Sequence, residues 1–420
     1  MQTVAPKLRP MLLSGLMAAA GACGFWGLLW LIGFAAPAEL TFDERFMIPV
    51  VDRLSSLWPD WSILWDFEDT KGPGFFVPAA ILSSWGVGLE GLRLTNLMLS
   101  MCSAGILGIV AKKGWRAAAA TGLLLAVLPY HTVLSHLFMS EPSFVLGSII
   151  LGTIATTGPR GEPGIWRPVA FGLVLTVLLH HRAHAVVPAA AAILVALQRD
   201  GSPSWRYAMA GCIAGALRLP LYIEWDGLVS PMYADRYGLG FSPESVVYLL
   251  GALTPFVLVG IPLGLQRSPR LLLWIGGLTA LAALWATPDL MSLDGGSVRR
   301  YQGLMASALL PLPQSVQPIA LALGAAAGAM GLMGLNRCLP SQRFAAKDGF
   351  GHYAWYLLFF GCLLYVATRG AVYDRYLLCF AAGLPILLVR HTPGWATLAQ
   401  GVIWITLTLW SASTWLNPSA

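Results

Sequence analysis

Residues 41–76 read TFDERFMIPVVDRLSSLWPDWSILWDFEDTKGPGFF and hold seven Asp or Glu side chains, the densest set of charges in an otherwise apolar chain. They directly follow an apolar run of about 25 residues, which is long enough to span about 30 Å of hydrocarbon. A segment this acidic is too costly to place in a bilayer. We therefore predict that residues 37–91 form the first extracytoplasmic loop, on the far side of a first membrane helix.

The composition of the whole chain is typical of a polytopic membrane protein. Of its 420 residues, 57% are hydrophobic and 11% are charged, the mean hydropathy is +0.68, and apolar runs recur from end to end. The net charge of +6 does not indicate nucleic-acid binding, because the basic residues form short clusters between apolar runs, which is the positive-inside pattern. We predict one all-α integral-membrane domain over residues 1–420, with about 12 to 13 transmembrane segments.

The charges also predict which side of the membrane each loop occupies. Lys7 and Arg9 place the N-terminus in the cytoplasm. On the resulting topology, 17 of the 20 acidic residues fall outside. Several arginines fall outside as well, against the positive-inside tendency: Arg45, Arg53, Arg236, Arg299, Arg300, Arg369 and Arg375. Charges kept on that side indicate a site for an anionic ligand.

Two segments of the first loop are predicted to be helices at the membrane surface. One begins near Pro49, and apolar residues at spacings of three and four give it one apolar face: Phe46, Val50, Leu54, Leu57 and Trp58. We expect this helix to lie flat on the membrane. The second, from Gly74 to Val87, is short for a full span, so we expect it to be interfacial or partly inserted.

Residues 168–198 are predicted to form a short helical hairpin with a polar tip. Two apolar arms too short to cross the full bilayer are joined by His180, His181, Arg182 and His184. We expect this tip to lie deep in the protein, where Arg182 would cost about 2.5–3.5 kcal/mol unless it is paired.

The start of the acidic stretch resembles a known family of enzymes. Residues 43–49, DERFMIP, are similar to the Asp-Glu-x-Phe-x-Ile-Pro opening of the endoplasmic-reticulum alpha-1,2-glucosyltransferases, which use dolichyl-phosphate glucose to finish the lipid-linked oligosaccharide. The resemblance continues in register through Trp65-Asp66, Thr70, Pro73-Gly74 and Leu92-Arg93 with Asn96. The first hundred residues therefore carry the most specific match.

Later in the chain the resemblance is limited to short islands. Arg182 stands at the family's Arg-Gln-Thr-Asn position, and Arg299-Arg300-Tyr301 resembles its Arg-His-Tyr. Residues 373–378, YDRYLL, are similar to a late motif of bacterial transferases of the GT-C superfamily in general. The chain departs from the glucosyltransferases at three places: Lys71-Gly72, the histidines around Arg182, and Ser297-Val298.

The resemblance implies a GT-C-like bundle and an inverting glycosyltransferase. Such an enzyme moves a monosaccharide, here glucose by resemblance, from a polyprenyl-phosphate donor to a hydroxyl of a lipid-linked or extracytoplasmic glycan acceptor. The reaction would take place on the extracytoplasmic or lumenal face of a bacterial inner membrane or of the endoplasmic reticulum. Its partners would be this donor, the acceptor and membrane lipids, with no nucleic acid.

The site residues follow from the resemblance and from what the chemistry needs. Inversion by direct displacement requires a carboxylate to remove the acceptor proton and cations to stabilise the departing phosphate. Asp43 is the predicted base, with Glu44 as the second candidate. The residues predicted to bind the donor phosphate or substrate are Lys71, Glu141, His181, His184, Arg182, Arg299, Arg300, Tyr301 and Arg375.

Each of these residues has an alternative interpretation. Asp43-Glu44 and Glu141 could be helix caps, and the arginines could be paired structural charges. The three histidines could bind a divalent cation, although at a polar tip they more often form hydrogen bonds; no cofactor is predicted with certainty. A lipid-linked glycan ligase or polymerase, a transporter and a membrane scaffold are the other classes of protein that stay open.

Overall fold

The structure, a computed structural model, describes residues 5–41, 43–60, 67, 71–111, 113–157, 164–201, 204–227, 230–231, 237–294, 298–339, 348–370 and 372–416. Most of these residues are helical. The helices of the first half are α1 Ala5–Leu31, α2 Glu44–Leu57, α3 Pro73–Ser84, α4 Leu89–Ala111, α5 Gly114–Ala126, α6 His131–His136, α7 Glu141–Thr156, α8 Trp166–His181, α9 Val186–Asp200 and α10 Trp205–Glu224. Those of the second half are α11 Pro243–Val257, α12 Gly260–Arg267, α13 Pro269–Trp285, α14 Leu304–Leu309, α15 Gln317–Asn336, α16 Gly349–Val366, α17 Leu377–Ala381, α18 Leu384–His391 and α19 Gly394–Trp415.

Several of these helices are suited to a membrane. Within the described residues, four are long and apolar enough to span a bilayer: α1 from Arg9, α4, α15 and α16. The pair α11 and α12 would make a fifth, although the two helices are bent by 90°. Long apolar helices of this kind indicate a membrane protein.

Fewer uninterrupted spans are found than the 12 to 13 segments that hydropathy predicts. In the described part of the chain, the apolar segment from Leu304 to Leu335 is divided into α14 and α15, and the one from Tyr376 to Val389 is divided into α17 and α18. The helices α3, α7 and α13 are apolar but short. Hydropathy averages over such breaks, so it counts apolar segments rather than continuous helices.

Small residues allow the long helices to approach closely. A Cβ at Gly122 of α5 would lie 1.9 Å from the carbonyl oxygen of Ala18 in α1. One at Gly328 of α15 would lie 1.9 Å from that of Leu250 in α11. The Gly/Ala-rich segment from Leu321 to Gly334 thus forms helix contacts, as its small residues predict.

The first helix of the acidic loop begins earlier than predicted. The helix α2 starts at Glu44 rather than near Pro49, and Pro49 lies inside it. Its first turn is held from outside the helix, because the Glu44 carboxylate accepts hydrogen bonds from Thr41 and from Arg93 of α4. Met47, Val51 and Leu54 face the protein, whereas Phe46 and Leu57 are exposed. Those exposed apolar side chains are available to a membrane surface.

The predicted hairpin is built from α8 and α9, joined by a 3-10 turn at Ala183–Ala185. Its tip is also contacted by the start of α3, where the Gly72 amide donates a 2.9 Å hydrogen bond to the His181 carbonyl oxygen. A Cβ at position 72 would lie 1.9 Å from the His180 carbonyl oxygen, so only glycine fits. The first loop is thereby fixed to the tip that carries Arg182.

Short strands, which the all-α prediction did not include, connect the later loops. The strand β1 (Tyr237–Leu239) pairs antiparallel with β5 (Thr368–Gly370), and β2 (Leu293–Asp294) pairs antiparallel with β3 (Val298–Arg299). The strand β4 (Tyr301–Gln302) pairs in parallel with β6 (Val372–Tyr373). This last pair brings the 299–301 motif beside the 373–378 motif.

Candidate functional site

Asp43 and Arg375, from opposite ends of the chain, meet in an ion pair. Asp43 lies at the residue before α2, and its Oδ2 is 2.6 Å from Arg375 Nη2. Both side chains line a narrow crevice together with Thr41, Tyr130, Val133, Leu134, Leu137, Met139 and Trp415. The lining of the crevice therefore includes one carboxylate and one guanidinium, which are paired with each other.

The adjacent Glu44 has a different environment. Its side chain is fully buried, with Oε1 and Oε2 at 2.9 and 2.7 Å from Arg93 Nε and Nη2. It also accepts hydrogen bonds from the amides of Thr41 and Phe138. Burial opposes the charge of Glu44, but these hydrogen bonds outweigh it and hold the pKa of the carboxyl below its ordinary value. Glu44 is thus committed to internal contacts, whereas Asp43 faces the crevice.

Arg182 at the hairpin tip forms the charge pair that its burial requires. Its Nη2 lies 2.8 Å from Oε1 of Glu141, the first residue of α7, and both side chains are buried. Its Nε also donates to Ser140 Oγ at 3.1 Å. The other carboxylate oxygen of Glu141 has no hydrogen-bond partner in the described structure. Glu141 therefore neutralises Arg182 and keeps one free acceptor.

Tyr376 connects the two ion pairs. The Cζ atom of Arg182 lies 5.0 Å from the centre of its ring, and that of Arg375 lies 5.3 Å from it. Lys71, at the start of α3, is close enough to act electrostatically on both Glu141 and His181. Lys71, Arg182 and Arg375 thus all act electrostatically on Glu141, and Arg375 also pairs with Asp43.

Tyr130 and Asp374 form a hydrogen-bond network next to the pair of Asp43 and Arg375. No sequence motif pointed to Tyr130. The Tyr130 hydroxyl donates to Asp374 Oδ1 at 2.5 Å and accepts from the Leu304 amide at 2.5 Å. The other oxygen of Asp374 accepts from the Met305 amide at 3.0 Å. Burial raises the pKa of Asp374 to about 6, because its hydrogen bonds offset only part of the cost of the charge. This network fixes the loop that carries Arg375.

The arginines of the 299–301 motif lie beside the ion pairs rather than in them. Arg299 is exposed, and the Cζ atom of Arg300 lies 5.7 Å from the ring centre of the buried Tyr301. Tyr301 in turn packs on Tyr248, with ring centres 4.9 Å apart. Among the described residues, no contact joins Arg299 or Arg300 to Asp43 or Arg375.

The histidines of the hairpin tip make hydrogen bonds and ring contacts, whereas His181 Nδ1 and His184 Nε2 have no hydrogen-bond partner among the described residues. His181 Nε2 lies 2.6 Å from Ser143 Oγ, and His180 Nδ1 lies 2.9 Å from the Thr176 carbonyl oxygen. His184 packs against the ring of Phe144 at 4.6 Å. Within the described residues, no three His, Cys, Asp or Glu side chains are grouped as metal ligands would be. The arrangement of these residues does not fit a divalent-cation site.

Part of the predicted motif set lies outside the described residues, namely Trp65, Asp66, Glu68, Asp69, Thr70, Arg236 and Ser297. The motifs that are described bring together Asp43, Glu141, Arg182 and Arg375, with Lys71 nearby. No family model, curated protein or solved structure matches this chain. The resemblance to the GT-C transferases therefore stays a prediction that rests on the motifs.

Proposed function

We propose that this protein is an inverting glycosyltransferase of the GT-C type, which transfers a monosaccharide from a polyprenyl phosphate to an acceptor hydroxyl. The observation that carries the proposal is the crevice where Asp43 and Arg375 form a 2.6 Å pair, backed by Arg182 across the Tyr376 ring. A carboxylate beside cations is what direct displacement of a phosphate requires.

In the proposed reaction, Asp43 takes the proton of the acceptor hydroxyl. The acceptor oxygen then forms a bond to the anomeric carbon as the bond from that carbon to the phosphate oxygen breaks. The electron pair of the broken bond leaves with the polyprenyl phosphate. When the donor binds, its phosphate competes with Asp43 for Arg375 and frees the carboxylate to act as the base.

The three cations that act on Glu141 support a phosphate leaving group. A polyprenyl-phosphate sugar is a phosphodiester with a single negative charge, whereas the polyprenyl phosphate released from it carries about 1.5 to 2. Lys71, Arg182 and Arg375 can stabilise the charge that develops during the reaction. Each charge-assisted hydrogen bond to the phosphate would contribute about 1.5–3 kcal/mol.

The donor is proposed to be lipid-linked rather than a nucleotide sugar. The sequence contains no Gly-rich nucleotide-binding turn and no soluble α/β segment that would hold a nucleotide. Three parts of the proposal rest on the resemblance and on the charge distribution. They are that the sugar is glucose, that the acceptor is a glycan, and that the site faces away from the cytoplasm.

We expect the substitution Arg375→Met to lower kcat/KM for the lipid-phosphate donor by about a hundredfold. The change removes one or two charge-assisted hydrogen bonds to the departing phosphate, each about 1.5–3 kcal/mol. The rate of sugar release from the donor is measured with purified protein. Arg45→Met is the matched control, because Arg45 lies in the same region but is exposed and donates to the Leu40 carbonyl oxygen. A folded Arg375→Met protein as active as the control would contradict the proposed role.

A further inference from the structure

Arg218 in α10 is a buried cation that has no counter-ion among the residues that the structure describes. Its side chain is only 1% exposed, and its Nε and Nη1 have no hydrogen-bond partner in the described part of the chain. It interacts with Tyr222 and Trp225, whose ring centres lie 4.9 and 5.6 Å from its Cζ atom. In the part of the chain that the structure describes, no carboxylate pairs with it. Two aromatic rings thus provide its main contacts.

A cation in this position is unusual on physical grounds. Buried charges in proteins are normally paired, and an unpaired one destabilises the fold. Ionisable residues inside membrane proteins commonly mark binding sites or transport pathways. The other deeply buried arginines follow the rule, because Arg93 pairs with Glu44 and Arg182 pairs with Glu141. Among the described residues, Arg218 is therefore the deeply buried arginine for which the structure shows no anionic partner.

Arg218 adjoins the hairpin tip of the candidate site. A Cβ at Gly72 would lie 3.5 Å from its Nη1, and the Gly72 amide is bonded to the His181 carbonyl oxygen. Arg218 and Lys71 both act electrostatically on His181. The Trp225 indole, which packs on Arg218, donates a 2.6 Å hydrogen bond to the Phe67 carbonyl oxygen of the acidic loop. The cation thus lies between α10, the first loop and the tip.

We propose that Arg218 and Lys71 form an anion-binding position that takes a phosphate group. The free Nε and Nη1 donors of Arg218 would bind phosphate oxygens, and Lys71 would add a second positive charge. Assigning this phosphate to the polyprenyl donor rests on the proposed function. Free phosphate has the same chemistry, and the experiment therefore compares the two sources.

The test measures binding to purified protein in detergent with three probes: polyprenyl phosphate, the polyprenol of the same chain length, and inorganic phosphate. We expect wild-type protein to bind polyprenyl phosphate more tightly than polyprenol. Arg218→Met should reduce this preference by about 10- to 100-fold, which is the effect of losing one charge-assisted hydrogen bond. Arg218→Lys, which keeps the positive charge, should show a smaller reduction. Arg167→Met is the matched control. Arg167 also packs over a tyrosine, but it lies at the start of α8, whereas the hairpin tip is at the end of that helix. It should keep the wild-type preference.

The inorganic phosphate arm distinguishes the two sources. The melting temperature is measured in phosphate and in chloride at equal ionic strength. If phosphate raises it in wild-type protein but not in Arg218→Met, the position is open to free phosphate. A preference for polyprenyl phosphate that depends on Arg218, without this rise, supports the lipid source. Wild-type protein that binds phosphate through Arg218 but transfers no sugar would overturn the proposed function and leave this anion position intact.

The melting temperature without ligand separates a binding role from a structural one. A structural arginine destabilises the protein when it is replaced, whereas removal of an unpaired buried charge leaves the melting temperature unchanged or raises it. We expect the second result for Arg218→Met and for Arg218→Gln. If either variant is folded and keeps the full wild-type preference for phosphate with both sources, the proposal is wrong. It is equally wrong if both variants lose stability and Arg218→Lys keeps none of the preference.

Discussion

Replacement of Asp43 by Asn is expected to lower the rate of sugar transfer by about 10²- to 10⁴-fold, which is the usual effect of removing a positioned general base. Asn has nearly the same shape as Asp but cannot accept the proton of the acceptor hydroxyl. The protein should remain folded, because Asp43 makes no hydrogen bond from its side chain to the start of α2. The rate is measured in a single turnover with a polyprenyl-phosphate sugar, together with the melting temperature.

Donor binding provides a second measurement on the same variant. Because Arg375 is no longer paired with a carboxylate, Asp43→Asn should bind the donor at least as tightly as wild-type protein does. Asp52→Asn is the control, since Asp52 is an exposed acid of α2, the helix that begins directly after Asp43. Transfer by Asp43→Asn within a few-fold of this control would remove Asp43 from the role of base.

Replacement of Arg93 by Met is expected to destabilise the protein by about 3–5 kcal/mol, the usual cost of leaving one buried partner of an ion pair alone. The Glu44 carboxylate would remain fully buried and would keep only the amides of Thr41 and Phe138 and the Thr41 hydroxyl as donors. The free energy of unfolding is measured by denaturant titration in detergent. A double variant that also carries Glu44→Gln should recover part of the loss.

The control for this prediction uses the other acidic partner of the same arginine. Glu90 also contacts Arg93 at 3.0 Å but is 77% exposed, so Glu90→Gln should hardly change stability. The pH dependence has a defined sign. Since the pKa of Glu44 is lowered in the folded protein, its stabilisation is complete above its ordinary pKa of 4.5 and is lost as the pH falls through the lowered value. Equal stability of Arg93→Met and Glu90→Gln would show that the ion pair of Arg93 with Glu44 does not stabilise the fold.

The sequence named the candidate residues Asp43, Glu44 and Arg375, but it did not predict which of the two adjacent acids pairs with Arg375. The motif DERFMIP pointed to Asp43 and Glu44 together, because adjacent residues cannot be assigned to a crevice or to the interior without their partners. Those partners, Arg375 and Arg93, are distant in sequence. The start of α2 was placed too late for the same reason, since contacts with Thr41 and Arg93 stabilise a turn ahead of Pro49.

The cost of burial made the pairing of one charged residue predictable, but the sequence did not indicate the contacts of other buried residues. The cost of burying Arg182 required a partner, and the structure provides Glu141 from another helix. Tyr130 has no charge or motif that would distinguish it in an apolar segment, and it depends on its contact with Asp374 across the fold. In the sequence, Arg218 is an isolated charge in an apolar run, whereas its lack of an ion-pair partner among the described residues is known only from the structure.

The most direct test of the central claim is the donor used by the purified protein. Wild-type protein is incubated separately with polyprenyl-phosphate glucose, polyprenyl-phosphate mannose, a polyprenyl-phosphate amino-arabinose and nucleotide sugars, and mass spectrometry follows the release of the sugar. We predict release from a polyprenyl-phosphate sugar, most readily glucose, with the polyprenyl phosphate as the second product. Use of a different lipid-linked sugar would correct only the identity of the sugar, whereas turnover of a nucleotide sugar with no lipid-phosphate donor present would contradict the mechanism.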